Sequence, residues 1–561
     1  MQSRTWTSIA AMVLLAPPCT SYGEEPETLA RQPWTYVRQE AIRGHVEFLA
    51  SDLLEGRATA ARGYDIAAAY TAAQFRQLGL KPAGAEASYF QTVPLLEATP
   101  VLPGSSAAWE VNGKTHTFEY GTEYLPSADF VSASSTLTAP LTFVGFGIQA
   151  PGQHHDDFAN LDLHGRIAVV FSGAPAKFPH NQRAYYSSSY TKFPGLIARG
   201  AVGAIIVDSP EDAKLMPWDR SVAMSWIPQM RWLNDEGKPQ NAFEQLKLRF
   251  HFNHDAASQL FEGAPRSFQD ALDAAEAGEA LGFELPGLLT LSATTGLRRT
   301  QSDNVLAMVP GSDPRVRNEW VVVTAHLDHL GRGAAVNGDS IYNGAQDNAL
   351  GVGIVLEMAR ALSASGVKPR RSIVFAAVTA EEKGLVGSDY LVQHMSDADI
   401  VANINVDTPM LFAPTQDFVA FGEAHSSLGA LARVAAANQG YRLSPDPNPA
   451  QASFVRSDQF SFIRAGIPAI VLTGGNKARD KSVDMAQLRH DFREHNYHQP
   501  SDDLALPIDY ASAADLARIN LQIAVEAANE PRRPHWRSGD FFGQAFMPRA
   551  ESSAGKPAPR P

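Results

Sequence analysis

A chain of 561 residues is too long for one ordinary hydrophobic core, so the sequence predicts two or three domains. Hydrophobic residues make up 44% and charged residues 19%, a composition typical of a soluble globular protein. The net charge of −13, without a cluster of lysine and arginine, argues against nucleic acid as a partner, because phosphate binding needs concentrated positive charge.

The first residues predict an export signal. Arg4 precedes an apolar run at 9–16 that is too short to span a bilayer, and 21–23 offers the small residues that a signal peptidase reads. We therefore expect 1–23 to be a signal peptide and the protein to be periplasmic or secreted; a disordered start is the alternative. Cys19, the single cysteine, lies in this segment, so the mature chain is expected to lack disulfides. No other stretch is long and apolar enough to predict a membrane span.

Residues 24–130 are predicted to form the N-terminal part of the main domain. Between Ile42 and Leu80, apolar residues recur at helical spacing in two stripes, which predicts two helices. The tripeptide Glu55-Gly56-Arg57 lies in the gap between these helices. Its composition predicts an exposed turn.

Residues 131–300 are predicted to form a separate, inserted β-rich domain. Short apolar runs such as Leu141–Gly145 and Arg166–Phe171 alternate there with Gly, Pro and Ser. No carboxylates stand at ligand spacing from its histidines. We therefore interpret three of them as surface residues: His154, His155 and His164.

Residues 301–530 alternate regularly between strand and helix patterns, which predicts an α/β domain with a mainly parallel central sheet sandwiched by helices. After about residue 530 the chain is rich in Pro, Arg and Ser, so 531–561 is expected to be a loose tail. The predicted strands are Val305–Val309, Trp320–Ala325, Ser372–Thr379, Ile400–Val406, Phe418–Phe421 and Ile467–Leu472; the predicted helices are Ala349–Ala364, one near Tyr390, Ser427–Asn438 and Asp458–Ala465.

Three polar motifs stand at the ends of these elements. They are T-A-H-L-D-H-L-G at 324–331, N-G-A-Q-D-N-A-L-G at 343–351 and T-A-E-E-K-G at 379–384. The apolar runs before the first and third are typical of strands buried on both faces of a parallel sheet. Ligands of such sheets bind at the carboxyl ends of the strands, so these motifs are expected to meet on one rim. His, Asp and Glu at one rim are the side chains that a metal site needs.

Each candidate residue has a functional and an ordinary interpretation. His326 is placed to bind a metal ion at the end of its strand, with Asp328 orienting the imidazole, whereas His329 is left unassigned as a packed or solvent-facing residue. Asp347 is either a helix N-cap or a carboxylate whose two oxygens bridge two cations about 3.5–4 Å apart.

Glu381 and Glu382 form either a solvated acidic pair or, because they follow a buried strand, a catalytic pair that points in two directions. One would then bind metal while the other reaches a water molecule. Asp407 also follows a strand, and His498 lies in a polar loop near the end of the fold. Each residue is weak evidence alone, but together the two histidines, two aspartates and two glutamates are strong evidence for a metal site.

The three motifs, followed in order by N-I-N-V-D, R-S-D-Q-F-S-F and Y-H-Q-P-S-D-D, resemble the co-catalytic zinc aminopeptidases. That family includes bacterial leucyl aminopeptidases, with glutamate carboxypeptidase II and transferrin receptor as relatives. The resemblance spans about 301–510. The segment 42–96, with F-L-A-S-D-L-L-E-G-R, resembles the piece that precedes an inserted domain in this family, and the insert is similar to a protease-associated domain.

The resemblance implies two zinc ions per chain. Gln346-Asp347 replaces the two acids often found there but keeps the bridging position, and Ser457-Asp458-Gln459 departs from the usual Ser-Asp-His, which affects the substrate pocket. The implied roles are Asp347 between the ions, His326 and Asp407 on one ion, Glu382 and His498 on the other, and Glu381 as general base.

The resemblance further implies an exported aminopeptidase that hydrolyses the N-terminal bond of a peptide with a free N-terminus. Serine and thermolysin-like mechanisms are disfavoured, because neither G-x-S-x-G around a serine nor H-E-x-x-H occurs. One alternative is another zinc hydrolase on the same fold, such as a carboxypeptidase or a glutaminyl cyclase. A second is a receptor-like binding protein without catalysis, in which the ligand residues would be missing.

Overall fold

The computed structural model describes Met1 and residues 32–395 and 398–546. The predicted signal peptide therefore lies almost wholly outside the described residues. Within them, no helix has both the length and the apolar composition needed to cross a membrane.

The main domain is built around a largely parallel sheet, as predicted. The strand Glu319–His326 lies at its centre and pairs in parallel with Ser372–Val378 on one side and Asp399–Asn405 on the other. The antiparallel pairs are at the flanks, where Asp417–Phe421 runs against Ala469–Gly474 and Ser372–Val378 runs against 305–309. In order across the sheet, the strands are Arg442–Ser444, Asp417–Phe421, Ala469–Gly474, Asp399–Asn405, Glu319–His326, Ser372–Val378 and the end of Gly282–Val309.

Both faces of this sheet are buried, because successive side chains of each strand point to opposite sides. Val321 and Val323 belong to the larger core, whereas Val322 belongs to the smaller core on the opposite face. The larger core is covered by Gln39–Leu49, Arg62–Gln77, Leu350–Ser365, Leu428–Asn438 and Tyr510–Asn529, and the smaller by Val386–Gln393 and Gln459–Arg464. The predicted α/β sandwich is thus confirmed.

Two very long antiparallel strands, Phe90–Val111 and Gly282–Val309, lead from the main domain into the insert. The insert has a hydrophobic core of its own, which already contains Ala107 and Trp109. Both residues precede 131, the predicted start of the insert. The remaining strands of the insert include Lys114–Phe118, Tyr124–Pro126, Ser134–Val144, Ile167–Phe171, Gly203–Val207, Gln229–Trp232 and Leu248–Phe252, and its helices include His180–Ser187, Ser189–Ile197, Trp218–Met224 and Phe268–Ala277.

One of the three histidines assigned to the surface of the insert is buried. His154 and His164 are exposed, as predicted, but His155 is 3% exposed and its Nε2 lies 3.0 Å from Oδ1 of Asp157. Burial raises the pKa of the Asp157 carboxyl. The prediction was wrong for His155 because a neighbouring carboxylate, two residues away, lets an imidazole enter the core.

The expectation of a loose tail was wrong for its first part, because 531–546 packs on the main domain. Trp536 and Phe542 are buried there, and Nε1 of Trp536 donates to the carbonyl of Gly466 at 2.7 Å. The segment ends in a short helix, Phe541–Phe546. Composition misled the prediction because a few aromatic side chains anchor a stretch that is otherwise rich in Pro, Arg and Ser. Residues 547–561 lie outside the described part.

Candidate metal centre

Three neighbouring strands deliver four of the candidate residues to one edge of the sheet. His326 is the last residue of its strand, Glu381 and Glu382 follow shortly after Ser372–Val378, and Asp407 follows Asp399–Asn405. Because these strands are parallel, their carboxyl ends meet. The sheet therefore brings the four side chains together, as the sequence predicts.

Asp347 reaches the same place from a loop that precedes a helix. The helix begins only at Leu350, and no side-chain cap is formed, so the N-cap interpretation does not hold. The Asp347–Asn348 peptide bond is cis. Asp502 fixes this loop, since its carboxylate accepts the main-chain N–H of Gln346 at 2.9 Å and that of Asp347 at 3.0 Å. Burial raises the pKa of Asp502 to about 6.

The two carboxylate oxygens of Asp347 face two different histidines. Nε2 of His326 lies 3.1 Å from Asp347 Oδ1 and 3.1 Å from Asp407 Oδ1. Nε2 of His498 lies 3.3 Å from Asp347 Oδ2 and 3.2 Å from Glu382 Oε2. Asp347 thus lies between two histidine–carboxylate pairs, His326 with Asp407 and His498 with Glu382.

The cluster is enclosed and rich in negative charge. The side chains of His326, Asp347 and Glu382 are 1%, 3% and 5% exposed, and ligand atoms of these three residues lie within 4.8 Å of one another. Burial raises the pKa of Glu381 well above its usual range, and the adjacent carboxylate of Asp407 raises it further. For His498, burial lowers the pKa, but the carboxylates of Glu382 and Asp347 outweigh it and raise the value to about 10.

These residues fit a zinc site. Imidazole nitrogens and carboxylate oxygens are the donors that zinc takes in catalytic centres. Buried acids at this density need positive charge nearby, which cations between the two histidines would provide. Nε2 of His498 is buried and faces oxygens of Asp347 and Glu382 without a well-formed hydrogen bond to any described residue, which is what a nitrogen directed at a metal ion would show.

His329, which the sequence left unassigned, belongs to this centre. It is fully buried, and its Nδ1 lies 2.7 Å from Oε1 of Glu382. The imidazole therefore holds the second oxygen of that carboxylate, while Oε2 faces His498. The motif H-L-D-H could have indicated this role, since His326 ends the buried strand and His329 follows three residues later.

Asp328 acts differently from the prediction. Nδ1 of His326 lies 3.0 Å from the main-chain carbonyl of Asp328, so this carbonyl and not the carboxylate orients the ring. The chain turns directly after the strand, which brings that carbonyl to the ring. The carboxylate of Asp328 instead accepts the main-chain N–H of Glu381 at 3.1 Å and that of Glu382 at 3.4 Å. It thereby positions the segment that carries both glutamates.

The expected exposed turn at 55–57 is also corrected. Arg57 is 1% exposed and lies behind the metal centre, where its guanidinium donates to main-chain carbonyls, among them that of Leu327 at 3.0 Å. Gly56 leaves no room for a side chain, because an added Cβ would come 2.3 Å from the carbonyl oxygen of Tyr342. The turn is therefore an internal structural element.

Two further residues border the cluster. Asp458 is fully buried, and burial raises the pKa of its carboxyl to about 7. Gln459, at the position where the resemblance implies histidine, accepts a hydrogen bond from Asn405 at 2.9 Å and donates to two main-chain carbonyls. Both the oxygen and the nitrogen of the Gln459 amide are therefore hydrogen-bonded, and they hold the loop that precedes its helix.

Comparisons with known proteins agree with this geometry. Residues 304–524 match the pattern of peptidase family M28. A probable zinc metalloprotease of Pyrenophora teres f. teres (strain 0-1) is 26% identical over 428 residues, which cover 68% of this chain and 80% of the relative. The aminopeptidase YwaD of Bacillus subtilis (strain 168) is 33% identical over 135 residues, covering 24% of this chain and 26% of the relative.

Among solved structures, the fold is similar to that of an aminopeptidase from Aneurinibacillus sp. strain AM-1. The TM-score is 0.50 at 20% sequence identity, and the match covers 90% of this chain and 97% of the other. At this identity the similarity concerns the fold.

Proposed function

We propose that the chain, whose residues 304–524 match peptidase family M28, is a zinc metallopeptidase and, more specifically, an aminopeptidase with two zinc ions. The observation that carries the proposal is the position of Asp347, whose two oxygens face two separate histidines. In this assignment Asp347 would contribute one oxygen to each of the two sites. His326 and Asp407 complete one site, and Glu382 and His498 complete the other.

Two sites also favour this activity over a one-zinc enzyme such as a glutaminyl cyclase. Zinc, when bound, lowers the pKa of a water molecule to about 7 and polarises the scissile carbonyl. Glu381 is the proton carrier in this scheme. It would accept a proton from water and then donate it to the leaving amine.

Tyr497 packs its phenol ring against the proposed ligand His498. Its ring stacks on that of His498, with 3.9 Å between the centroids. Burial raises the pKa of the phenol, and the carboxylates of Asp347 and Glu382 raise it further, so the hydroxyl stays protonated at neutral pH. A neutral hydroxyl can donate to a substrate carbonyl as negative charge develops on its oxygen, and we assign this role to Tyr497.

A free α-amine of the substrate could bind one of the metal ions or a nearby carboxylate, which favours N-terminal over C-terminal cleavage. We also propose that the protein is exported and that the insert is a protease-associated domain, both on the sequence features described above.

The test is a panel of aminoacyl p-nitroanilides and their N-acetylated counterparts, assayed with and without a chelator. We expect hydrolysis of the free aminoacyl compounds only, loss of activity with chelator and recovery with zinc. Equal hydrolysis of the N-acetylated compounds would contradict an aminopeptidase, and full activity after exhaustive metal removal would contradict the zinc mechanism.

A further inference from the structure

Arg57 is a buried cation that binds four main-chain carbonyls. Nε donates to Leu327 at 3.0 Å, Nη2 donates to Gly344 at 3.1 Å, and Nη1 donates to both Asn343, at 2.6 Å, and Leu49. The side chain is 1% exposed, so these bonds lie in the interior. A planar guanidinium with five N–H donors can span several loops in this way, whereas an ammonium group cannot.

Two of these carbonyls belong to the loops that carry the proposed zinc ligands. Leu327 lies between His326 and Asp328, and Gly344 lies three residues before Asp347. Arg57 therefore joins the loop of one ligand to the loop of the bridging carboxylate. The hairpin in which Gly331 pairs with Tyr342 joins the same two loops at their far ends.

The main chain around Arg57 reinforces the same connection. The carbonyl of Arg57 accepts the main-chain N–H of His329 at 3.1 Å. The hydroxyl of Thr59 donates to Asp328 Oδ2 at 2.9 Å. Gly56 is wedged against the carbonyls of Tyr342 and Gly331, which an added Cβ would approach to 2.3 and 2.6 Å. Residues 56–59 thus contact the metal-centre loops at several independent points.

The charge of Arg57 is directed at the same centre. All four of its hydrogen-bond acceptors are neutral carbonyls, so no hydrogen-bonded carboxylate neutralises the guanidinium. Burial lowers its pKa to about 10, and Asp502, Asp347, Asp328 and Glu382 oppose this shift at longer range. Arg57 therefore remains protonated at neutral pH and acts electrostatically on the acids of the cluster.

We propose that Arg57 is a positioning residue of the metal centre, which sets the distance between the His326 and Asp347 loops and offsets part of the negative charge of the buried acids. This inference rests on the proposed function, because it requires that the cluster binds zinc. Its consequence is that Arg57 governs zinc affinity although it is not a zinc ligand. Residues that hold metal ligands in place typically change metal affinity by about 10- to 100-fold when they are removed.

The experiment compares Arg57→Met, Arg57→Lys and the matched control Arg62→Met. Arg62 is exposed at the first position of the helix Arg62–Gln77. Zinc affinity of the metal-free proteins is measured by competition with a chromophoric chelator, at a temperature at which circular dichroism shows each protein folded. We expect about 10- to 100-fold weaker zinc binding in Arg57→Met, an intermediate loss in Arg57→Lys, and wild-type affinity in the control.

A second readout separates positioning from general stability. The visible absorption spectrum of the cobalt-loaded protein reports ligand geometry, and we expect it to change in Arg57→Met but not in Arg62→Met. Should Arg57→Met fail to fold, Arg57→Lys and Thr59→Val decide the question. Thr59→Val removes one hydrogen bond to Asp328 at constant shape, so a loss of zinc affinity of about 2- to 10-fold is expected.

The outcomes distinguish this inference from the function on which it rests. A wild-type protein that binds no zinc would overturn both. A wild type that binds zinc, together with folded variants at position 57 that bind it equally tightly and give an unchanged cobalt spectrum, would overturn the role of Arg57 and leave the proposed function standing.

Discussion

Exchanging the two adjacent glutamates, one at a time, for glutamine separates the base from the ligand. Glu382 contacts two histidines, with Oε1 2.7 Å from His329 and Oε2 3.2 Å from His498. Glu381 is held at its main-chain N–H by Asp328, and its carboxyl group is not engaged by either of those histidines. The two side chains are chemically identical, so only their positions can make the variants differ.

Glu381→Gln keeps the size of the side chain and removes the proton acceptor. General acid–base groups contribute about 10²- to 10⁴-fold to rate, equivalent to about 3–5 kcal/mol of transition-state stabilisation. We expect kcat to fall by this factor at unchanged zinc content. Glu382→Gln replaces a charged ligand by a neutral amide, so zinc affinity should fall. Removing residues that only support metal ligands typically weakens binding by about 10- to 100-fold, and we expect at least this loss for a ligand itself.

The assay measures zinc content and turnover of an aminoacyl p-nitroanilide on both variants. Glu236→Gln serves as control, because Glu236 is exposed and pairs only with Lys238 on the surface of the insert. Full activity of Glu381→Gln would refute the assignment of the base. Loss of zinc from Glu381→Gln, with zinc retained by Glu382→Gln, would show that the two roles are reversed.

Three further outcomes follow from other parts of the molecule. N-terminal sequencing of the protein from the cell envelope or medium should give a start near Glu24, and intact Met1 on cytoplasmic protein would count against export. Phe542→Ala should destabilise the protein by about 3–5 kcal/mol in chemical denaturation, because Phe542 is fully buried; a change within 0.5 kcal/mol would mean that the C-terminal segment does not stabilise the fold. Burial, assisted by Arg360 and Arg38, lowers the pKa of His45 from 6.5 to about 4, so the unfolded chain binds the proton more tightly and stability is lost as the pH falls from about 6.5 towards 4. When the free energy of unfolding is measured by chemical denaturation across this pH range, His45→Gln should lose less of it than wild type. An equal loss in both proteins would show that His45 does not cause the pH dependence.

The sequence predicted those parts of the structure that leave a local pattern. Val321 to Val323 form an apolar run that is typical of a strand buried on both faces, and this run predicts where His326 emerges. The same reasoning holds for the strand before Glu381. Because neighbouring parallel strands end at one edge, the meeting of these side chains followed from topology.

The residues that the sequence missed depend on contacts with distant parts of the chain. Arg57 is buried because carbonyls about 270 and 287 residues further along the chain accept its hydrogen bonds, and nothing near Arg57 in the sequence indicates them. His329 stands in the motif H-L-D-H, but its partner Glu382 is 53 residues away and lies beside it only in the folded chain. The C-terminal segment was misjudged because its average composition hides Trp536 and Phe542, the two side chains that anchor it.

Zinc titration into the metal-free protein measures directly how many ions the cluster holds. The two oxygens of Asp347, each facing its own histidine, predict that two zinc ions bind per chain and that aminoacyl p-nitroanilide hydrolysis returns with them. His498→Ala should then bind one ion, because it removes a ligand of one site and leaves His326 and Asp407 at the other. Saturation of the wild-type protein at a single zinc ion, with full activity, would contradict the account of the site.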